Sequence, residues 1–170
     1  SDALVPAAMS SAIAYSVFCL WLPSDLRFMP LFGPHMAFEV ESPLELVPYA
    51  CMAVILVLAG LLYIQTFYGV HALFKKLPIF PHIKPMVGAA LAGLTGLALW
   101  SAFGQDYDAL AVLGSGYGLL QKMFASEFTV APLLLVSVAL VKILTTSFTI
   151  SSGGSGGVFG PSMVMGGCVG

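Results

Sequence analysis

The sequence predicts an all-α membrane protein, a polytopic helical bundle in which some helices are broken or re-entrant. Of its 170 residues, 59% are hydrophobic and only 8% are charged, whereas soluble domains carry about 25% charged residues. Several apolar stretches reach the roughly 20 residues that a helix needs to cross a bilayer. This composition excludes a typical soluble enzyme and a disordered segment, and a net charge of −2 excludes a nucleic-acid binder, which needs a basic surface.

Four membrane-spanning helices are predicted, at residues 5–22, 44–74, 85–103 and 130–150. The first stretch lacks the basic start and the cleavage site of a signal peptide, so we interpret it as a span. Prolines and charges predict a loop at 23–43, since neither is favoured in hydrocarbon. Three lysines, Lys75, Lys76 and Lys84, fall in the next connection. The positive-inside rule places that connection in the cytoplasm and the 23–43 loop outside.

Two shorter apolar segments predict helices that do not cross the bilayer alone. Residues 116–123 are too few to span it, and they fit a re-entrant helix that is covered by protein or water. Residues 160–170 begin another helix, within which the sequence stops. We therefore expect the chain to be a piece of a larger membrane protein. In the third span, Gly88, Gly93 and Gly96 predict close packing against neighbouring helices.

The glycine-rich stretch 153–160 lies directly before the last predicted helix. Helix N-termini present unpaired N–H groups and a positive dipole end, which together attract anions. Pro161 suits the first helical turn, where its missing N–H costs nothing. The amides of Gly157, Val158 and Phe159 would then be free to bind an anion. A plain interhelical loop remains the alternative, and a phosphate-binding P-loop is disfavoured because the stretch lacks the required Lys.

The run Gly157-Val158-Phe159-Gly160-Pro161 matches the pattern Gly-x-Phe-x-Pro and resembles a signature of the CLC family of chloride channels and anion/proton antiporters. The preceding segment from Lys142 to Gly153 resembles the helix by which that family approaches the loop, and a weaker likeness extends over the whole chain. The resemblance implies a partial CLC-type domain that transports chloride or another halide as part of a voltage-gated-type channel or an antiporter, with no further cofactor and no covalent chemistry.

The resemblance also implies roles for particular residues. The amides of Val158 and Phe159 would hold the central anion, within a site formed by Gly157, Val158, Phe159, Gly160 and Pro161. A homodimer in a plasma (inner) membrane is implied, partly through the helix that begins at Val5 and ends at Leu20. The family patterns Gly-Ser-Gly-x-Pro and Gly-x-Glu-x-Pro do not occur in this sequence; the run from Gly114 to Gly118 differs from the first, since Gly118 replaces the proline.

Lys142 is the one charge inside the fourth predicted span. A lysine at the bilayer centre costs roughly 2.5–3.5 kcal/mol on insertion scales, so an intramembrane lysine is by default a functional candidate. We interpret it as possible electrostatic support for the anion; pairing with backbone carbonyls or snorkelling is the alternative.

Two other functions stay open at this point. One is an unrelated secondary transporter with a broken-helix site for another small anion. The other, more remote, is an intramembrane serine hydrolase that uses Ser155 or Ser162. A hydrolase of that kind needs a histidine within hydrogen-bond reach of the serine, and no predicted span has one in its interior. The sequence predicts no metal site, because its three cysteines lie apart in apolar stretches.

Overall fold

The computed structural model describes residues 4–24, 27, 42–124 and 130–170, and all regular structure in these ranges is helical. The all-α prediction is therefore confirmed. The α-helices, numbered in chain order, are α1 (Leu4–Trp21), α2 (Leu46–Lys76), α3 (Lys84–Ala102), α4 (Tyr117–Met123), α5 (Pro132–Ser151) and α6 (Phe159–Val169).

Four of these helices, α1, α2, α3 and α5, are long and apolar enough to cross a membrane. Their bounds differ by one or two residues from the predicted spans, and α4 and α6 begin one residue from their predicted starts. At the end of α2, Lys75 and Lys76 belong to the last helical turn instead of a loop. Cations are favoured there by the negative end of the helix dipole. Most of the predicted 23–43 loop lies outside the described residues.

The chain divides into two compact units, residues 1–36 and 37–170. In the first, every residue of α1 is exposed except Cys19. In the second, α5 is the central helix, because it contacts α2, α3 and α6. In the most apolar stretch of α5, 44% of the residues are buried, compared with 22% in that of α3 and none in that of α2.

Close approach of α3 to its neighbours depends on two glycines. A Cβ at Gly88 would overlap the carbonyl of Phe148 and the side chain of Ser152, and a Cβ at Gly96 would lie 2.8 Å from the side chain of Leu113. The prediction of close packing is right for these two glycines. At Gly93, a Cβ would meet no atom of the described residues within 4 Å, so close packing there stays a prediction.

Two short 3₁₀ helices were not predicted. Pro43–Glu45 leads into α2, and the Ser42 side chain and Glu45 form a reciprocal capping box there. Tyr107–Val112 follows α3 and is capped by Asp106, whose carboxylate accepts a hydrogen bond from the amide of Asp108 at 2.9 Å. This second 3₁₀ helix packs against α3 and α5 and brings the turn before α4 to the side of α5.

Candidate functional site

A cavity of about 410 Å³ lies beside α5, between the two glycine-rich segments. Its wall combines part of α5, the turn before α4, the loop before α6 and one residue of α3. The lining residues are Ala92, Val112, Leu113, Gly114, Ser115, Tyr117, Thr145, Thr146, Thr149, Ile150, Ser155, Gly156, Gly157, Gly160 and Pro161.

The α5 wall of this cavity is polar. Lys142, Thr145, Thr146 and Thr149 follow the spacing i, i+3, i+4, i+7, which places them on one face of a helix. The Thr145 hydroxyl donates to the carbonyl of Val112 at 2.8 Å, and the Thr149 hydroxyl donates to the carbonyl of Thr145 at 2.8 Å. This polar stripe in an otherwise apolar span is the signal by which sequence reasoning could have found the threonines.

Lys142 ties α5 to the turn before α4. The residue is 1% exposed, and its ammonium group donates hydrogen bonds to the carbonyls of Ala111 at 2.7 Å and Gly114 at 2.8 Å. These bonds match the carbonyl-paired alternative for this lysine. Its electrostatic effect on an anion in the cavity stays a prediction.

The loop before α6 begins with two bonded amides and continues with unbonded ones. The amide of Gly153 donates to the carbonyl of Ile150, and that of Gly154 donates to the carbonyl of Thr149. From Ser155 to Gly160, the backbone amides donate no hydrogen bond to any of the described residues. These N–H groups therefore remain available to a ligand.

Helix α6 starts inside the predicted site. Val158 has helical dihedrals (φ −93°, ψ −17°), α6 begins at Phe159, and Pro161 is its third residue. The first bond of this turn runs from the Ser162 amide to the Val158 carbonyl at 3.0 Å. The unbonded amides of Phe159 and Gly160 are therefore first-turn donors, which in a helix point toward its N-terminal end.

The five residues of the predicted anion site do not all face the large cavity. Gly157, Gly160 and Pro161 line it. Val158 instead borders a smaller cavity of about 150 Å³ formed with α2 residues, and the Phe159 side chain is 72% exposed. Three of the five residues therefore border the cavity, whereas Val158 and Phe159, whose amides are predicted to hold the anion, do not line it.

The two candidate nucleophilic serines have different surroundings. Ser162 donates its hydroxyl to the Val158 carbonyl at 2.7 Å, whereas Ser155 lines the large cavity. The residues that line this cavity include no histidine. Within the described ranges, no group of three or more His, Cys, Asp or Glu side chains is arranged to hold a metal ion.

Comparison with known proteins identifies the family of this chain. A family model described as "Voltage gated chloride channel" matches residues 1–170. The chain belongs to the voltage-gated chloride channel family. This membership agrees with the resemblance found at Gly157 to Pro161 and with the all-helical fold.

Two curated proteins are similar in sequence to this member of the voltage-gated chloride channel family. An uncharacterized protein of Methanocaldococcus jannaschii is 28% identical over 163 residues, which cover 96% of this chain and 37% of that protein. The H(+)/Cl(−) exchange transporter ClcA of Cronobacter sakazakii is 38% identical over 82 residues, which cover 48% of this chain and 15% of that protein. The chain thus spans well under two thirds of the length of these relatives. No solved structure gives a significant match.

Proposed function

We propose that this chain takes part in chloride or other halide transport across a membrane, as part of a voltage-gated-type chloride channel or an anion/proton antiporter. The anion is held by the backbone amides of Gly157, Val158 and Phe159, with Gly160 and Pro161 completing the loop. The observation that carries the proposal is the run of amides without a hydrogen-bond acceptor among the described residues, at the first turn of α6. Family membership and the name of the ClcA relative support chloride as the anion.

The electrostatics of this loop favour an anion over a cation. Unbonded amides and the positive end of the α6 dipole both stabilise negative charge. Each hydrogen bond to a charged group contributes about 1.5–3 kcal/mol net, whereas a bare ion loses tens of kcal/mol on entering a low-dielectric medium. Two or three amides therefore do not suffice, and the anion keeps part of its water shell or gains further donors.

The setting of the proposed activity is a lipid bilayer. Family membership and four apolar helices of spanning length make the chain part of an integral membrane protein. We propose the plasma (inner) membrane and a homodimer, partly through the helix from Val5 to Leu20. The exposure of nearly all of α1 supports a surface that lipid or a second subunit covers.

Chloride flux tests the proposed activity directly. Purified protein reconstituted in liposomes loaded with chloride is expected to release that chloride when a potassium ionophore prevents a membrane potential from building up. A proton-coupled exchanger would also change the pH inside the vesicles, which an enclosed dye reports. Liposomes that retain both chloride and pH at the level of protein-free vesicles would contradict the proposal.

Replacing one backbone amide by an ester tests the proposed ligand group. An ester at Phe159 removes its N–H and keeps the side chain, so chloride binding measured by calorimetry is expected to weaken about tenfold, the effect of one charged hydrogen bond. The matched control is an ester at Ser162, whose amide already donates to the Val158 carbonyl. Equal losses at both positions would mean that the Phe159 amide has no special role.

A further inference from the structure

One hydroxyl on the polar face of α5 has no partner within the protein. Thr145 and Thr149 donate to backbone carbonyls, but the described residues give the Thr146 hydroxyl no hydrogen bond. The Thr146 side chain is only 7% exposed, and it lines the large cavity. A hydroxyl at a cavity wall that has no protein partner is expected to bond to a ligand or to water in that cavity.

The cavity joins this hydroxyl to the proposed anion loop. Thr146 and Gly157 line the same space, and the hydroxyl oxygen is not sealed from it by protein. The volume of about 410 Å³ has room for an anion together with several waters, each of which occupies about 30 Å³ in the liquid. A threonine of α5 and two glycines of the proposed anion loop, Gly157 and Gly160, thus border one compartment.

We propose that Thr146 is a side-chain ligand of the transported anion, a hydroxyl donor that replaces one water of its shell. This inference rests on the proposed function and names a residue that helps to set anion affinity. Its chemistry suits a small monovalent anion, since a neutral O–H donates a charge-assisted hydrogen bond without adding a fixed charge. Lys142, by contrast, already donates two hydrogen bonds, to the carbonyls of Ala111 and Gly114.

The neighbouring threonine provides a matched control. Thr149 also lines the cavity, but its hydroxyl proton is engaged by the Thr145 carbonyl at 2.8 Å. Thr146→Val and Thr149→Val both remove one hydroxyl from the same wall and keep the side-chain shape. A difference between them therefore reports the free donor rather than the general polarity of the cavity.

Calorimetric titration of the purified protein with chloride tests the inference. Thr146→Val is expected to weaken chloride binding about tenfold, the loss of one hydrogen bond to a charged group. Thr146→Ser, which keeps the hydroxyl, and Thr149→Val are expected to stay within about twofold of the parent protein, because each leaves the free donor in place. Thr146→Ala is measured alongside, and size-exclusion elution verifies that each variant is folded.

The outcomes separate this inference from the proposed function. If the parent protein binds chloride and both Thr146→Val and Thr146→Ala bind it equally well, Thr146 is not a ligand and the amide site stands. Equal weakening in the Thr146 and Thr149 variants also overturns the inference, because it would reflect cavity polarity. If the parent protein binds no chloride, the proposed function fails and this inference fails with it.

Discussion

The two glycine-rich segments of the cavity wall have similar composition but are bonded to α5 in different ways. Each precedes a short helix, the Gly114 to Gly116 turn before α4 and the 153–160 loop before α6. Around the turn, the carbonyls of Ala111, Val112 and Gly114 accept hydrogen bonds from side chains of α5. In the loop, the amides beyond Gly154 have no acceptor among the described residues.

The difference shows that glycine-rich segments of similar composition can hold helices together in one place and leave backbone groups free for a ligand in another. Carbonyls in and just before the turn accept hydrogen bonds from the Lys142 ammonium group and the Thr145 hydroxyl, so the turn is fixed to α5. In the loop, only the amides of Gly153 and Gly154 are bonded to α5 carbonyls. Substitutions in the turn should therefore lower stability, and substitutions in the loop beyond Gly154 should change binding or have no effect.

Removing the Lys142 ammonium group is expected to lower stability strongly. Lys142→Met leaves the carbonyls of half-buried Ala111 and exposed Gly114 without their lysine donor. Water can reach Gly114, so about one unsatisfied group is expected, and the free energy of unfolding should fall by about 1–3 kcal/mol. Thermal unfolding in detergent measures the loss.

Lys122→Met provides the control for that loss. Lys122 forms an ion pair with Asp108, but its side chain is 60% exposed, and exposed pairs contribute about 0–1 kcal/mol. Lys142→Met should also weaken anion binding if its charge supports the site. Unchanged chloride affinity by calorimetry would leave Lys142 with a structural role alone.

Gly116→Ala tests the second constraint on the turn. Gly116 has φ +75°, and a Cβ there would lie 2.9 Å from both the carbonyl of Ala111 and a methyl group of Val164. The left-handed backbone costs a non-glycine residue about 1–2 kcal/mol, and overpacking adds about 1–3 kcal/mol. The midpoint of thermal unfolding should drop clearly, by an amount comparable to that for Lys142→Met.

Gly114→Ala separates the two costs at the turn. Gly114 also has a positive φ, +62°, but a Cβ there would meet no atom within 4 Å. Only the backbone cost of about 1–2 kcal/mol is then expected. If Gly114→Ala were as destabilising as Gly116→Ala, the contact with Val164 would not matter and α4 would not depend on close packing at this turn.

The sequence predicted the helices of this molecule better than it predicted the cavity between them. Uninterrupted apolar length specifies a spanning helix locally, which is why the ends of α3 and α5 fall within two residues of prediction. The cavity depends on which helix faces which, and no local pattern states that Lys142 reaches back 31 residues to Ala111.

The candidate site was predictable only where a short motif carried it. The Gly157 to Pro161 run indicated the loop, because glycine and proline at a helix start have a local physical meaning. Thr146 was not singled out, since the sequence does not show which threonine of the polar stripe on α5 lacks a partner. Thr145 and Thr149 donate hydrogen bonds to backbone carbonyls, whereas Thr146 has no partner among the described residues. Only the packed structure shows this difference.

Gly157→Ala is expected to have the smallest effect and is the most direct check on the freedom of the loop. A Cβ at Gly157 would meet no atom within 4 Å, and its φ lies outside the left-handed range. Alanine should therefore leave the unfolding midpoint unchanged or raise it slightly, since replacing glycine at a compatible site stabilises by about 0.4–1 kcal/mol through the unfolded state. Chloride binding should also persist, because alanine keeps the backbone N–H that the proposed site uses.

Gly154→Ala, three residues earlier, is the matched comparison for Gly157→Ala. A Cβ at Gly154 would lie 2.6 Å from the carbonyl of Thr149, so this variant should be destabilised by about 1–3 kcal/mol, as overpacked sites are. The boundary between the fixed and the free part of the loop would then fall between these two glycines. A loss of stability in Gly157→Ala as large as in Gly154→Ala would show that the loop is packed as tightly as the turn, and its amides would have to be satisfied by protein rather than by an anion.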